Sequence, residues 1–279
     1  MKQAFIYTDD KSQKFWIIDS DGSDIMVNFG KLGTTGRYQI TEYDDEIECQ
    51  KAADKLITQK TKKGYKLAPD FNFIDRFYFD NEDFGPHRKT SHPHFVRYLT
   101  DDFYYDCGDE EAPFGSDEGS DALYELAQAF RKNTDLDILA FPQKLICEYW
   151  GMDYLPPQTD QTAKSIEELC KQQETEVYQS DRVIIAATFG SIKITGRLKP
   201  ELQQLALLAM QRLDILAQLR GWCFAGTLSE INQQMADDLQ RFAVAQVTIF
   251  RRPNYETSAC RACMHNVSQA THQDTGLPA

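Results

Sequence analysis

Phe29-Gly30-Lys31-Leu32-Gly33-Thr34-Thr35-Gly36-Arg37 is the stretch on which the reading of the fold turns. An aromatic, a glycine and a cation end an alternating run (Ile25, Val27, Phe29), and two more glycines follow at a spacing of three. Glycines so placed suit a tight strand connection, because glycine takes the positive φ of such corners without penalty. Working outward, the alternation predicts strands over residues 3–8, 14–19, 24–31 and 37–43, in an antiparallel sheet half-buried on one face. A helix is predicted from about residue 45 to 60. Asp44, Asp45, Glu46 and Glu48 crowd its start, and Lys55, Lys60, Lys62 and Lys63 its end, which suits the helix dipole. Ala52, Ala53, Leu56 and Ile57 form the stripe that packs on the sheet, and Gly64 is the stop signal.

Beyond residue 67 the pattern changes. Residues 68–100 carry Phe71, Phe73, Phe77, Tyr78, Phe79 and Phe84, too apolar for a free linker, and read as a connector that staples the two domains or begins the second core. Residues 101–121 hold nine carboxylates and no cation. Helical spacing then takes over. Ser120 is read as the cap of a helix with Ala122, Leu123, Leu126, Ala127 and Phe130 on one side. Pro142 opens a short helix that Gly151 closes, and Pro156-Pro157 breaks the chain. Helices follow over 166–177, over 200–219 buried on two sides, and over 228–244; over 183–194 the Val-Ile-Ile run suits a strand, but the Ser180 cap, Ala186-Ala187 and the length favour a helix. The polar stretch from 254 to 279 reads as a disordered tail. The expectation is an α+β fold with a sheet-and-helix module over 1–67, a connector over 68–100, an acidic helical domain over 101–253 and a tail over 254–279.

Charge divides along the same line. The chain has 279 residues, 30 Lys+Arg and 43 Asp+Glu, a net charge of −13. Residues 1–67 contain as many basic as acidic side chains, so the excess of acid lies beyond them. Such a field opposes loose adsorption to nucleic acid, and any such contact must be local and confined to the first module. No run is apolar enough for a membrane span, no leader pattern is visible, and seven irregularly spaced cysteines do not form a disulfide framework. These point to a cytoplasmic protein with reduced thiols. Phosphate-cradling loops and a G-x-S-x-G elbow are missing from the sequence, so catalysis has no foothold in a motif.

The order of Lys14-Phe15-Trp16-Ile17-Ile18-Asp19, Asp21-Gly22-Ser23, the glycine stretch and Gln59-Lys60-Thr61-Lys62-Lys63-Gly64-Tyr65 resembles the WGR domain. That family occurs in poly(ADP-ribose) polymerases that respond to DNA damage and in bacterial proteins of the MolR and YfeS types. The acidic segment 109–119 and the helices after it look like the C-terminal part of the YfeS type. The resemblance implies binding rather than catalysis, with no cofactor. In the polymerases the Trp and Arg of the naming tripeptide contact the end of a DNA strand. Here the tripeptide is Phe29-Gly30-Lys31, which keeps a stacking ring and a charge but loses the indole donor and the bidentate guanidinium. The expected binding set for nucleic acid or a protein partner is Phe29, Gly30, Lys31, Gly33, Gly36, Arg37, Lys60, Lys62 and Lys63. The bland alternative is a core phenylalanine, hairpin glycines and solvated helix-end lysines.

Three other constellations stand out. The acidic segment fails the EF-hand pattern, because the Glu110 register puts Ala112 and Phe114 where oxygen ligands belong. It reads as a solvated acidic loop or a docking face for a basic partner, the adaptor reading. His87, His92 and His94 precede Asp101, Asp102 and Asp106, and a metal-dependent enzyme using residues 87–121 is the further alternative. Cys260, Cys263, His265 and His272 have irregular spacing for a zinc site.

Overall fold

The structure is a computed structural model that describes residues 1–222 and 227–250. Five antiparallel strands, β1 (Lys2–Asp9), β2 (Ser12–Asp19), β3 (Asp24–Lys31), β4 (Arg37–Glu42) and β5 (Lys66–Leu67), form a sheet in the order β4-β3-β2-β1-β5. The first four make a meander, as short polar turns between alternating runs dictate. Helix α1 (Glu46–Lys62) crosses one face; Asp45 caps it by accepting from the Glu48 amide at 2.8 Å. On that face Phe5, Trp16, Ile18 and Ile25 pack with Cys49 and Ala53.

The expectation of a half-buried sheet needs correcting, because both faces are covered. Phe15, Trp16, Ile17 and Ile18 are all buried, so successive residues point into two different cores. The second face, with Ala4, Phe15, Ile17, Met26, Tyr38 and Ile40, is continuous with the core of the helical part. The aromatic connector makes that join. Phe71 lies 6.5 Å from Phe15, Tyr78 lies 6.1 Å from Tyr38, and the Tyr38 hydroxyl donates to the Phe77 carbonyl at 3.2 Å.

The helical part comprises α2 (Pro93–Tyr98), α3 (Asp117–Lys132), α4 (Phe141–Lys144), α5 (Ala163–Thr195), α6 (Pro200–Arg220) and α7 (Thr227–Phe250). The two helices expected over 166–177 and 183–194 are one 33-residue helix, kinked at Gln173, where φ is −134°. No Gly or Pro interrupts residues 178–182, and Ser180 is no cap: inside the helix its hydroxyl accepts from the Leu155 amide at 2.9 Å. From Ser180 to Ile194 every residue of α5 is buried, which makes it the central helix. The cap of α3 is Ser116, which accepts from the Gly119 amide at 3.1 Å, rather than Ser120. Pro142 does open α4, but the chain then widens into a π-turn over Leu145–Tyr149 before Gly151. Two charge pairs anchor this part, one buried on both sides (Arg212 with Asp181) and one joining a buried Lys193 to a partly exposed Asp80. Arg212 forks onto Asp181 at 2.8 and 2.9 Å, and Lys193 reaches Asp80 at 2.5 Å. The segment 254–279, with its Cys and His residues, lies outside the described residues.

Candidate nucleic-acid interface

Strand register decides which of the expected site residues meet. Across β2 and β3, Trp16 stands opposite Phe29 and Lys14 opposite Lys31; across β3 and β4, Phe29 stands opposite Arg37. Paired residues share a face, so Phe29, Lys31, Arg37 and Lys14 lie together on the α1 side of the sheet. The end of α1 closes over them. The Lys60 ammonium lies 5.2 Å from the Trp16 ring centre, 5.2 Å from Tyr65 and 5.9 Å from Phe29, within cation–π range of all three. Partial burial, then the charge of Lys63, holds the Lys60 ammonium below its usual value.

Phe29 is half-buried, whereas Lys14, Lys31, Arg37, Lys62 and Lys63 are exposed. None of these cations, nor Lys60, is in an ion pair with a carboxylate among the described residues. Asp9, which feels the charge of Lys14, is occupied. Its carboxylate accepts from the Tyr7 hydroxyl at 2.7 Å and the Lys11 amide at 2.8 Å, and sits below its usual pKa for those reasons first. The result is an aromatic-and-cation row in which no cation is ion-paired with a carboxylate among the described residues.

The glycines are used differently from the cations. Gly30 and Gly36 face the opposite core: a Cβ on Gly30 would lie 2.8 Å from the Gly36 Cα, and one on Gly36 would lie 2.5 Å from the Phe15 ring. Gly36 also has φ +71°, so it is both a corner and a close approach. Gly33 sits at the loop tip with open space around it. Asn28, which sequence reasoning missed, holds this loop in shape. Its side-chain amide donates to the carbonyls of Thr35 (3.1 Å) and Arg37 (3.2 Å), and its oxygen accepts from Arg76 at 2.8 Å. The Arg76 guanidinium lies 4.4 Å above the Phe15 ring, so the connector clamps the glycine loop from behind. The missed Lys14 was findable, since counting residues back from the β2–β3 turn sets it opposite Lys31. Arg76 gave no local signal.

A family model for the WGR domain matches residues 1–72. The chain is also 46% identical to the Escherichia coli (strain K12) protein YfeS, itself uncharacterised, over 246 residues; the match covers 87% of this chain and 98% of YfeS. The chain belongs to the YfeS family of WGR-domain proteins. The E. coli (strain K12) protein YehF is 44% identical over 61 residues, 22% of each chain, a length that corresponds to the WGR module alone. A crystal structure of a Bacteroides fragilis protein is 31% identical and covers 46% of this chain and 39% of that one; its TM-score of 0.24 carries no argument about the fold.

The histidine group and the acidic segment, the other constellations within the described residues of this YfeS-family chain, make contacts inside the fold. His92 is buried, with Nε2 2.8 Å from the Ile74 carbonyl and Nδ1 accepting from the His94 amide at 3.1 Å. Those two bonds require a neutral ring with its proton on Nε2, and burial pushes its pKa down to about 4. Burial also lowers His94 and His87; His87 lies 3.3 Å from Asp24. Among the described residues no three His, Cys, Asp or Glu side chains gather as a metal would need. The acidic segment combines a 3-10 helix over Asp102–Tyr105, side-chain-capped turns and the first residues of α3. Asp101, Asp106 and Asp109 accept from the amides of Phe103, Gly108 and Glu111, and Glu111 pairs with Arg182 at 3.2 Å. No described helix is long and apolar enough to cross a membrane.

Proposed function

We propose that this protein is a non-enzymatic binding protein whose WGR module takes a nucleic-acid strand across the end of its sheet. The observation that carries the reading is the row of Lys14, Lys31, Arg37 and Lys60 around the half-exposed Phe29 ring, with no carboxylate paired to any of them. Cations set at strand spacing neutralise successive phosphates and release their counterions, and the ring offers a face to a sugar or base. The excess of acid elsewhere restricts the strand to this row, because the chain as a whole, at −13, repels a polyanion. Gly33 and the loop tip leave the approach open.

The test is fluorescence anisotropy of the full chain with a labelled single-stranded oligonucleotide and a blunt duplex. Saturable binding that weakens as salt rises is expected; no binding to either probe at low salt removes the reading. A second reading, an adaptor that docks a basic protein, draws on the acidic excess beyond residue 67. Affinity capture with and without nuclease separates the two, since an adaptor keeps its partner after digestion and a nucleic-acid binder loses its ligand.

A further inference from the structure

The aromatic surface on the α1 side of the sheet does not stop at Phe29. Tyr7 stands opposite Lys14 across β1 and β2, and Lys14 opposite Lys31 across β2 and β3, so Tyr7 shares the face of the cation row. Tyr65, just beyond α1, lies against Tyr7 with ring centres 5.4 Å apart. Lys60 joins this pair to Phe29, its ammonium 5.2 Å from the Tyr65 ring and 5.9 Å from the Phe29 ring. Both tyrosines are only half-buried. The pair is also set in advance. The Tyr7 hydroxyl donates to Asp9 at 2.7 Å, and the Tyr65 amide donates to the Lys60 carbonyl at 3.2 Å. Gly64 has φ +89°, and a Cβ there would lie 3.3 Å from the Tyr7 ring, so glycine lets that ring settle against the end of α1. Rings held in this way lose little freedom when a ligand stacks on them.

Spacing then selects the ligand. β1 and β3 are two strand spacings apart, about 10 Å, whereas successive nucleotides of a duplex strand rise by about 3.4 Å. Bases that lie on Phe29 and on the tyrosine pair together must be splayed from one another, which base pairing prevents. The two tyrosine rings are inclined by 36°, so they make no flat shelf for a terminal base pair. Charge agrees with this path. Lys14, Lys31 and Lys60 lie along it, and the β1–β2 turn, Asp9-Asp10-Lys11, carries a net negative charge that ends it. We propose, building on the nucleic-acid reading, that the interface selects single-stranded nucleic acid over duplex, with Tyr7 and Tyr65 as a second base-stacking platform beside Phe29.

The experiment follows backbone amide shifts of the isotope-labelled full chain during titration with a short oligothymidylate, and with a blunt hairpin duplex for comparison. Saturable shifts at residues 7, 14 and 65 as well as over 29–37 are expected with the single strand, and weaker binding with the hairpin. Tyr7→Leu keeps an apolar side chain against Gly64 but removes the flat ring. It should weaken the oligothymidylate roughly ten-fold, the loss of one stacked base, while the melting temperature holds. Shifts confined to 29–37, a hairpin bound as tightly as the single strand, or unchanged affinity in a folded Tyr7→Leu protein would each overturn the proposal and leave the nucleic-acid reading standing. No binding of either probe at low salt would remove both. If Tyr7→Leu fails to fold, the shift map and the hairpin comparison still decide the question.

Discussion

Lys60 is the residue at which the proposed binding role and the stability of the fold are most separable. Its ammonium sits against three rings but forms no ion pair, so its removal costs the fold little; a partly exposed cation–π contact contributes about 0.5–1 kcal/mol. Lys60→Met should change unfolding free energy by less than about 1 kcal/mol and weaken oligonucleotide binding several-fold. Urea melts and anisotropy on the same sample measure both, and a large loss of stability with unchanged binding would make Lys60 structural. His92 shows the opposite balance. Its pKa is about 4 in the fold and near 6.5 in the open chain, so the unfolded state takes up the proton first as pH falls. The stability that His92 contributes is therefore complete above about pH 6.5 and lost on the way down to about pH 4, up to about 3 kcal/mol. His94 and His87 are shifted in the same direction and add to the trend. Urea unfolding across that range should show the decline, and His92→Asn, which keeps a capping acceptor but does not titrate, should reduce the slope. An equal slope in the variant would assign the acid sensitivity to other groups.

At the scale of elements, the β3–β4 corner has the least tolerance. Gly36→Ala places a methyl against the Phe15 ring and the Phe29 carbonyl at a φ of +71°, and should cost about 2 kcal/mol or more. A denaturant midpoint within error of the parent would mean the corner relaxes freely. The four-strand meander and α1 were legible in the sequence because alternation, turn glycines and the Asp45 and lysine ends of the helix all agree. What escaped was set by contacts distant in sequence. Ser180 looks like a cap and instead serves the Leu155 amide; Asn28 looks like a polar strand residue and holds a loop through Arg76, 48 positions away. The candidate site was half legible. Phe29, Lys31 and Arg37 follow from one stretch of sequence and its register, whereas the fit of Lys60 over Trp16, and the inward facing of Gly30 and Gly36, depend on packing.

For the whole molecule, the sheet acts as a plate with a core on each side. Its second face, with Phe15, Ile17, Met26, Tyr38 and Ile40, is covered by the connector and continuous with the core around α5. A fragment of residues 1–72, the extent of the WGR match, should expose much of that face and aggregate or melt well below the full chain. A fragment as stable and monodisperse as the full chain would mean that the first core alone suffices. The continuity also fixes the cation row relative to the acidic part, since Arg76 and Lys89, which pairs with Asp24 at 2.8 Å, both reach from beyond the module into the sheet.

The salt dependence of oligonucleotide affinity, compared between the parent and the Lys31→Ala/Arg37→Ala protein, tests the cation row most directly. Two lost phosphate contacts should flatten the slope of log K against log salt by roughly 1.4–1.8 and weaken binding at low salt. Equal affinity and equal slope in the two proteins would place any nucleic-acid contact elsewhere on the molecule and contradict the account.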